Sequence, residues 1–242
     1  MFGTNPIRKA EHGDGTTLAV QEIFTTIQGE GPLAGTPAVF IRLAGCNLAC
    51  KFCDTEFESG IDNRKSVEDI VSQVLEDLES YPGVRTVVLT GGEPFRQNIV
   101  PLIDSLFSAH GIDHLQIETA GTLWLEELGW PWYFPYVSIV CSPKTPKVHR
   151  KIIEYCTDWK YIIKAGETSI IDGLPTTATQ TEGVEQQIFR ADRDDSDCTI
   201  WVQPCDEHDD TRNKANRDEC VAVAMRHGYR LSLQQHKILG LP

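Results

Sequence analysis

The stretch Ala38-Val-Phe-Ile-Arg-Leu-Ala-Gly45 runs without a break into Cys46-Asn-Leu-Ala-Cys50-Lys-Phe-Cys53-Asp-Thr55, and it decides how the rest of the chain is read. Its first eight residues form a short apolar run closed by glycine, the pattern of a buried strand. Five further runs share that pattern: 84–91 (VRTVVLTG), 114–121 (HLQIETAG), 136–143 (YVSIVCSP), 159–166 (WKYIIKAG) and 199–206 (TIWVQPCD). Helical periodicity recurs between them. In 66–80, Val67, Ile70, Val71, Val74, Leu75 and Leu78 share one face, and Ser66, with Asp69 three residues on, is set to cap the first turn. Residues 98–110 and 212–227 are also helical in pattern and stop at Gly111 and Gly228. Strands alternating with helices predict parallel βαβ units. The expected fold is α/β: a partial (β/α)6 barrel of parallel strands, because the chain is a little short for a full eightfold barrel.

With 242 residues, the chain suits a single domain spanning 1–242. Within it, 1–20 reads as an N-terminal tail. Segment 167–198, poor in apolar residues and rich in Thr, Asp and Gln, reads as a surface insertion. A hydrophobic fraction of 40% with 24% charged residues excludes wholesale disorder and fibrous classes. No apolar run approaches the roughly 18–20 residues of a membrane helix, and MFGTNPIRKAEHGDG lacks a signal-peptide core. The expectation is a cytoplasmic protein with no membrane partner. A net charge of −13, from 22 basic and 35 acidic residues, also argues against nucleic-acid binding.

Eight cysteines in a chain of this size and expected compartment do not suggest disulfides. Five are scattered, while Cys46, Cys50 and Cys53 crowd into one loop as Cys-x3-Cys-x2-Cys. Three thiolates so spaced can wrap an iron–sulfur cube, or a zinc ion completed by a distant His or Cys. A structural zinc site wants four ligands, and the spacing differs from ferredoxin patterns. Three ligands to a cube leave one iron open. A second motif, Thr90-Gly91-Gly92-Glu93-Pro94, follows the strand VRTVVL. Its glycines let the backbone come close to a ligand, and Glu93 could neutralise a ligand ammonium. Taken alone it is equally a tight turn.

The cysteine loop, with Phe52 before its last cysteine and TGGEP some 40 residues on, resembles the radical S-adenosylmethionine (SAM) superfamily. Adding Ile27-Gln28-Gly29-Glu30-Gly31-Pro32, Arg42, Cys53-Asp54-Thr55, IETAGT (117–122), Ser142-Pro143-Lys144 and Gln203-Pro204-Cys205-Asp206, the chain resembles the 7-carboxy-7-deazaguanine synthase family from about Ile23 to Pro242. The resemblance implies a lyase. Its reaction contracts 6-carboxy-5,6,7,8-tetrahydropterin to 7-carboxy-7-deazaguanine with loss of ammonia, in queuosine (7-deazapurine) biosynthesis. Hydrogen is taken from C6 and later returned, so that SAM is regenerated. It also implies a [4Fe-4S] cluster on Cys46, Cys50 and Cys53, and SAM against Phe52, Cys53, Asp54, Gly92, Ser142, Pro143, Lys144, Gln203, Pro204, Cys205 and Asp206. Mg²⁺ falls at Thr55, and the pterin at Ile27, Gln28, Gly29, Arg42, Thr90 and the carboxylate of Pro242. Relatives often carry a polar residue where this chain has Ala120.

No protein acid or base is assigned by this reading. Glu30 and Glu118 are the nearest candidates and read as hydrogen-bonding groups, while Gln234 and His236 lie on an apolar, patterned C-terminus expected to dock. The basic run Lys144 to Lys151 is a solvated helix start or a docking site for a flavodoxin- or ferredoxin-type electron donor. The aromatic run Trp130 to Tyr136 covers the core or forms a homodimer interface. Two other readings stay open: a different radical SAM enzyme of the activase type, and a non-catalytic iron–sulfur or zinc protein.

Overall fold

The computed structural model describes residues 5–128, 135–178, 187–191 and 198–242. In chain order the elements are β1 (Thr17–Ile27), β2 (Pro37–Leu43), β3 (Arg64–Ser66), α1 (Val67–Ser80), β4 (Thr86–Gly91), α2 (Val100–Ser108), β5 (His114–Thr119), β6 (Val137–Cys141), α3 (Arg150–Tyr155), β7 (Asp158–Ile163), β8 (Thr199–Pro204), α4 (Asp210–His227), β9 (Arg230–Leu231) and α5 (Gln235–Leu239). They build one sheet in the order β3-β1-β2-β4-β5-β6-β7-β8-β9. All six expected strands form, and they are parallel from β2 through β8. The sheet is open, so the partial barrel holds.

Three strands were not anticipated. β1 runs antiparallel to β2 with Ile23 opposite Ile41, β3 pairs antiparallel with β1, and β9 adds two residues parallel to β8. The expected tail 1–20 is therefore corrected: Leu18, Ala19 and Val20 are fully buried as the start of β1. Pairing with β2 draws in these small apolar residues. A bulge at Gln21 sends its amide into the loop after the cysteines, where it donates to Glu56 and accepts from Gly60 N–H.

The strands present two unlike faces. Val39, Ile41 and Leu43 of β2, Val87 and Leu89 of β4, Leu115 and Ile117 of β5, and Trp159, Tyr161 and Ile163 of β7 belong to the large core packed by the helices. The alternate residues, Arg42, Thr90, Glu118 and Lys160, line a cavity on the other side. This is the period-two alternation of a strand. The helix side is closed by Val67, Ile70, Val74 and Leu78 of α1 and Leu102, Ile103 and Leu106 of α2. Ser66 caps α1 as expected, its hydroxyl accepting from Asp69 N–H at 3.1 Å. α4 ends at Gly228 with φ +73°.

Segment 167–198 needs a second correction. Within its described residues, Leu174, Ala178, Ile188 and Ala191 are buried in the main core. Ala191 N–H donates to the Tyr161 hydroxyl at 2.9 Å, and the Phe189 ring lies 5.1 Å from that of Trp159. Two short pieces thus complete the cover over β7. Trp130 to Phe134 lie outside the described residues, while Tyr136 is exposed and meets the Phe107 ring at 6.3 Å.

Candidate active site

The cavity opens at the C-terminal ends of the parallel strands and has a volume of about 620 Å³. Strand ends at this edge of an α/β sheet carry the loops that bind ligands. The three cysteines lie on the loop after β2, and all three reach the cavity wall. Cys46 packs with Leu48 and Phe57, and Cys50, Cys53 and Ala120 adjoin this apolar cradle. Burial, with Glu93 nearby, pushes the Cys46 thiol up to about 12, so ligation there must expel a proton. Among the described residues no three His, Cys, Asp or Glu side chains are gathered tightly enough for a single metal ion. A cube gives each thiolate a different iron and so accepts wider spacing. Three soft donors in an apolar cradle beside open space fit a [4Fe-4S] cluster better than mononuclear zinc.

Gly91 and Gly92 are required by close backbone contacts. A Cβ at Gly91 would meet Leu43 O at 2.1 Å, and one at Gly92 would meet Gly45 O at 2.1 Å. The end of β4 is thereby pressed against the root of the cysteine loop, with Gly92 N–H donating to Leu43 O and Glu93 N–H to Gly45 O. Glu93 is tied into the wall behind the site. Its side chain is fully buried off the cavity wall and accepts from Phe95 N–H, Thr119 Oγ1 and Ala120 N–H. Burial pushes its carboxyl up even against these donors. It clasps the β4 loop to the loop after β5, two of the three donors falling on Oε1 and one on Oε2.

Of the expected site residues, Ile27, Gln28, Gly29, Arg42, Phe52, Asp54, Thr55, Thr90, Gly92, Ser142, Lys144, Gln203, Pro204, Cys205, Asp206 and Pro242 all reach the same cavity as the cysteines. Pro143 does not. It is buried behind the wall, because the chain alternates there and turns Ser142 and Lys144 inward instead. The Lys144 ammonium donates to Ser142 O at 3.1 Å and stands 5.7 Å from the Phe52 ring centre. Burial lowers its pKa.

A polar row crosses the floor. Thr90 Oγ1 donates to Glu118 at 2.8 Å, and Gln28 Nε2 donates to Glu118 at 3.0 Å and Gln116 at 2.8 Å. Arg42 is aimed by Glu22, which accepts from Nε at 2.8 Å, and by the Phe24 ring 5.4 Å away. This leaves its terminal nitrogens directed to other partners.

Two lysines escaped the sequence reading. Lys160, on β7, is ion-paired with Glu30. Burial opposes its charge, but Glu30 and then Glu118 hold the ammonium well above its ordinary value. Its signal was alternation: in Trp159-Lys-Tyr-Ile-Ile163, residues 160 and 162 face away from the core. Lys237, on α5, bridges Asp54 and Asp206 at 2.7 Å each, and Gln234 donates to Glu30 and Asp54. The C-terminus is thus docked, as expected. Gln235 N–H donates to Gly29 O at 3.1 Å, and a Cβ at Gly29 would strike His236 Nδ1 at 2.1 Å.

The geometry defines a radical SAM protein, and the Radical SAM superfamily model matches residues 40–175. As a member of that superfamily the chain depends on a [4Fe-4S] cluster and SAM. Within it, the chain belongs to the 7-carboxy-7-deazaguanine synthase family. It is 44% identical to the protein of that name from Rhodospirillum rubrum over 100% of both chains. It is 38% identical to the one from Rickettsia prowazekii, over 100% of this chain and 96% of the other. The crystal structure of QueE from Escherichia coli superposes with a TM-score of 0.65 at 25% identity, covering 93% of this chain and 99% of that one.

Proposed function

We propose that this chain converts 6-carboxy-5,6,7,8-tetrahydropterin to 7-carboxy-7-deazaguanine and ammonia, in queuosine and related 7-deazapurine biosynthesis. The observation that carries the proposal is one shared wall: the three cysteines and the Arg42–Thr90–Glu118–Gln28 row line a single cavity. The product equals the substrate less one ammonia, so no net oxidant or reductant is consumed.

Cys46, Cys50 and Cys53 would hold the cluster. Phe52, Asp54, Gly92, Ser142, Lys144 and the 203–206 turn would hold SAM. Together these groups supply hydrogen-atom abstraction at a carbon. The chain's task is to present C6 and keep water out. The aimed guanidinium of Arg42 suits the substrate carboxylate. Glu118 Oε2, already taking the Thr90 hydroxyl, suits the N–H edge of the pterin, and Pro242 lines the same cavity. Thr55, whose hydroxyl lies 3.4 Å from Asp54, offers the hard oxygen that Mg²⁺ accepts alongside waters and a substrate carboxylate. Lys160 is held as a cation by Glu30, which suits charge placement rather than proton transfer.

An external electron donor would reduce the cluster to its working state without being consumed in the net reaction. A flavodoxin- or ferredoxin-type donor fits the exposed Lys147 and Arg150 on an otherwise acidic protein; Lys144 of the same run is turned into the cavity. Homodimerisation is part of the proposal, supported by Val221 and Met225 exposed on one side of α4.

Reconstituted protein incubated anaerobically with SAM, Mg²⁺, dithionite and the carboxytetrahydropterin should yield a product lighter by one ammonia on mass spectrometry. Accumulation of 5′-deoxyadenosine without that product would sink the substrate assignment and favour an activase-like enzyme. Neither product, from protein with a full cluster, would return the electron-transfer reading.

A further inference from the structure

The segment 5–11 precedes the residues that the superfamily model matches, yet it is fastened to the cysteine loop at both ends. Ile7 bridges Cys46 in the parallel sense, and Arg8 N–H donates to Cys46 O at 2.7 Å. At the far end of the loop, Asn5 Nδ2 donates to Thr55 O at 3.0 Å, and the Arg8 guanidinium pairs with Glu58. A third fastening reaches the loop after β4. Glu11 N–H donates to Arg96 O at 2.7 Å, and Arg96 Nη1 donates to the Glu11 carboxylate at 2.8 Å and to Lys9 O at 3.3 Å. Arg96 is 2% exposed, and its other nitrogen donates to Ala44 O, two residues before the first cysteine.

The cysteine loop is irregular along its whole length. Between Cys46 and Thr55 there is no helix or extended strand; Cys53 N–H donates to Cys50 O at 3.1 Å, Leu48 N–H to the Cys46 sulfur at 3.4 Å, and Asn47 Nδ2 reaches outside the loop to Thr122 Oγ1 at 2.8 Å. A loop without regular secondary structure samples many conformations unless neighbours restrict it.

We propose that residues 5–11 act as a positioning clamp for the cluster loop, holding Cys46 and Thr55 in place so that the iron–sulfur cluster is retained. The clamp rests on the cluster assignment and not on the pterin as substrate. It makes the N-terminal segment a working part of the site. Asn5 and Arg8 are positioning residues, since they touch loop backbone and Glu58 but do not line the cavity.

Deleting 1–11 is a poor test, because Arg96 would be left buried without its carboxylate. The informative variants are Asn5→Ala, Arg8→Ala and their double, made in the full chain. Two readouts are needed: the anaerobic rate at which a chelator bleaches the reconstituted cluster, and the melting temperature of cluster-free protein. Loss of one such contact should speed bleaching about fivefold, and the double variant should bleach faster still. Arg8→Lys, which keeps the charge pair, should recover part of the loss. Cluster-free melting should move by less than about 2 °C, as for a surface substitution. Unchanged bleaching in the double variant would overturn the clamp. So would a fall in cluster-free melting that tracks the bleaching rate, which would mark a general loss of stability.

Discussion

The two faces of the sheet are made by the same strands one residue out of step, and they obey opposite rules. On the helix-covered face Ile41, Leu89, Ile117 and Tyr161 are fully buried among apolar neighbours. On the cavity face stand their immediate neighbours in sequence, Arg42, Thr90, Glu118 and Lys160, each engaged by a polar partner. Stability is concentrated on the first set, where burial excludes water. Chemistry is concentrated on the second, where desolvated charges are aimed and paired. A one-residue slip would exchange the faces and destroy both properties.

The sharpest way to break this division is at the cysteine loop. Cys53→Ala should abolish cluster binding and product formation while moving cluster-free melting little, because Cys53 is only half-buried. A collapse of the fold instead would make the loop part of the core. Next in size is a neighbouring pair on β4. Leu89→Ala should cost about 2–5 kcal/mol in denaturant unfolding and leave turnover per folded molecule intact. Thr90→Val should cost less than about 1.5 kcal/mol and yet depress kcat/KM about tenfold by removing one of the two donors to Glu118. Equal effects of the two on stability would blur the distinction.

Arg42→Lys should raise KM for the carboxylated pterin about tenfold with kcat nearly unchanged, since a point cation replaces an aimed fork. A fall in kcat alone would move Arg42 from binding to chemistry. The smallest effect concerns the C-terminus. Glu30, Asp54 and Asp206 are opposed by burial but held below the usual carboxylate range, Glu30 chiefly by Lys160 and the two aspartates by Lys237. A depressed carboxyl contributes its stabilisation above its unfolded pKa and loses it as pH falls through the folded value. Hydrogen exchange should therefore find 234–242 equally protected from about pH 5 to 8 and released only below about pH 4. Release already between pH 5 and 8 would transfer control to His236.

The parts of the fold that were legible in the sequence are those in which one physical signal dominates. The six parallel strands announce themselves by apolar runs, and α1 by periodicity plus the Ser66 cap. β1 was missed because TLAVQEIFTTI is only partly buried and mixes polar with apolar residues. β3 and β9, with three and two residues, are too short to carry a period. Segment 167–198 looked solvated because four small or medium apolar side chains, dispersed among polar ones, do its burying.

The site was legible where chemistry demands rare residues in close order, as in the cysteine loop. It was obscure where the partner is distant in sequence. Lys160 sits 130 residues from Glu30, and Lys237 sits 183 from Asp54. The partners of Glu93 were hidden for the same reason, since Thr119 ends the next strand and Ala120 follows it in the loop.

The most direct test of the whole account is a stoichiometry. Under anaerobic turnover of the carboxytetrahydropterin, ammonia, 7-carboxy-7-deazaguanine and remaining SAM would be measured together. The account predicts ammonia and product in equal amounts, with many products formed per SAM consumed, because the cavity returns to its starting state after each cycle. SAM consumed in step with 5′-deoxyadenosine, without ammonia release, would contradict it.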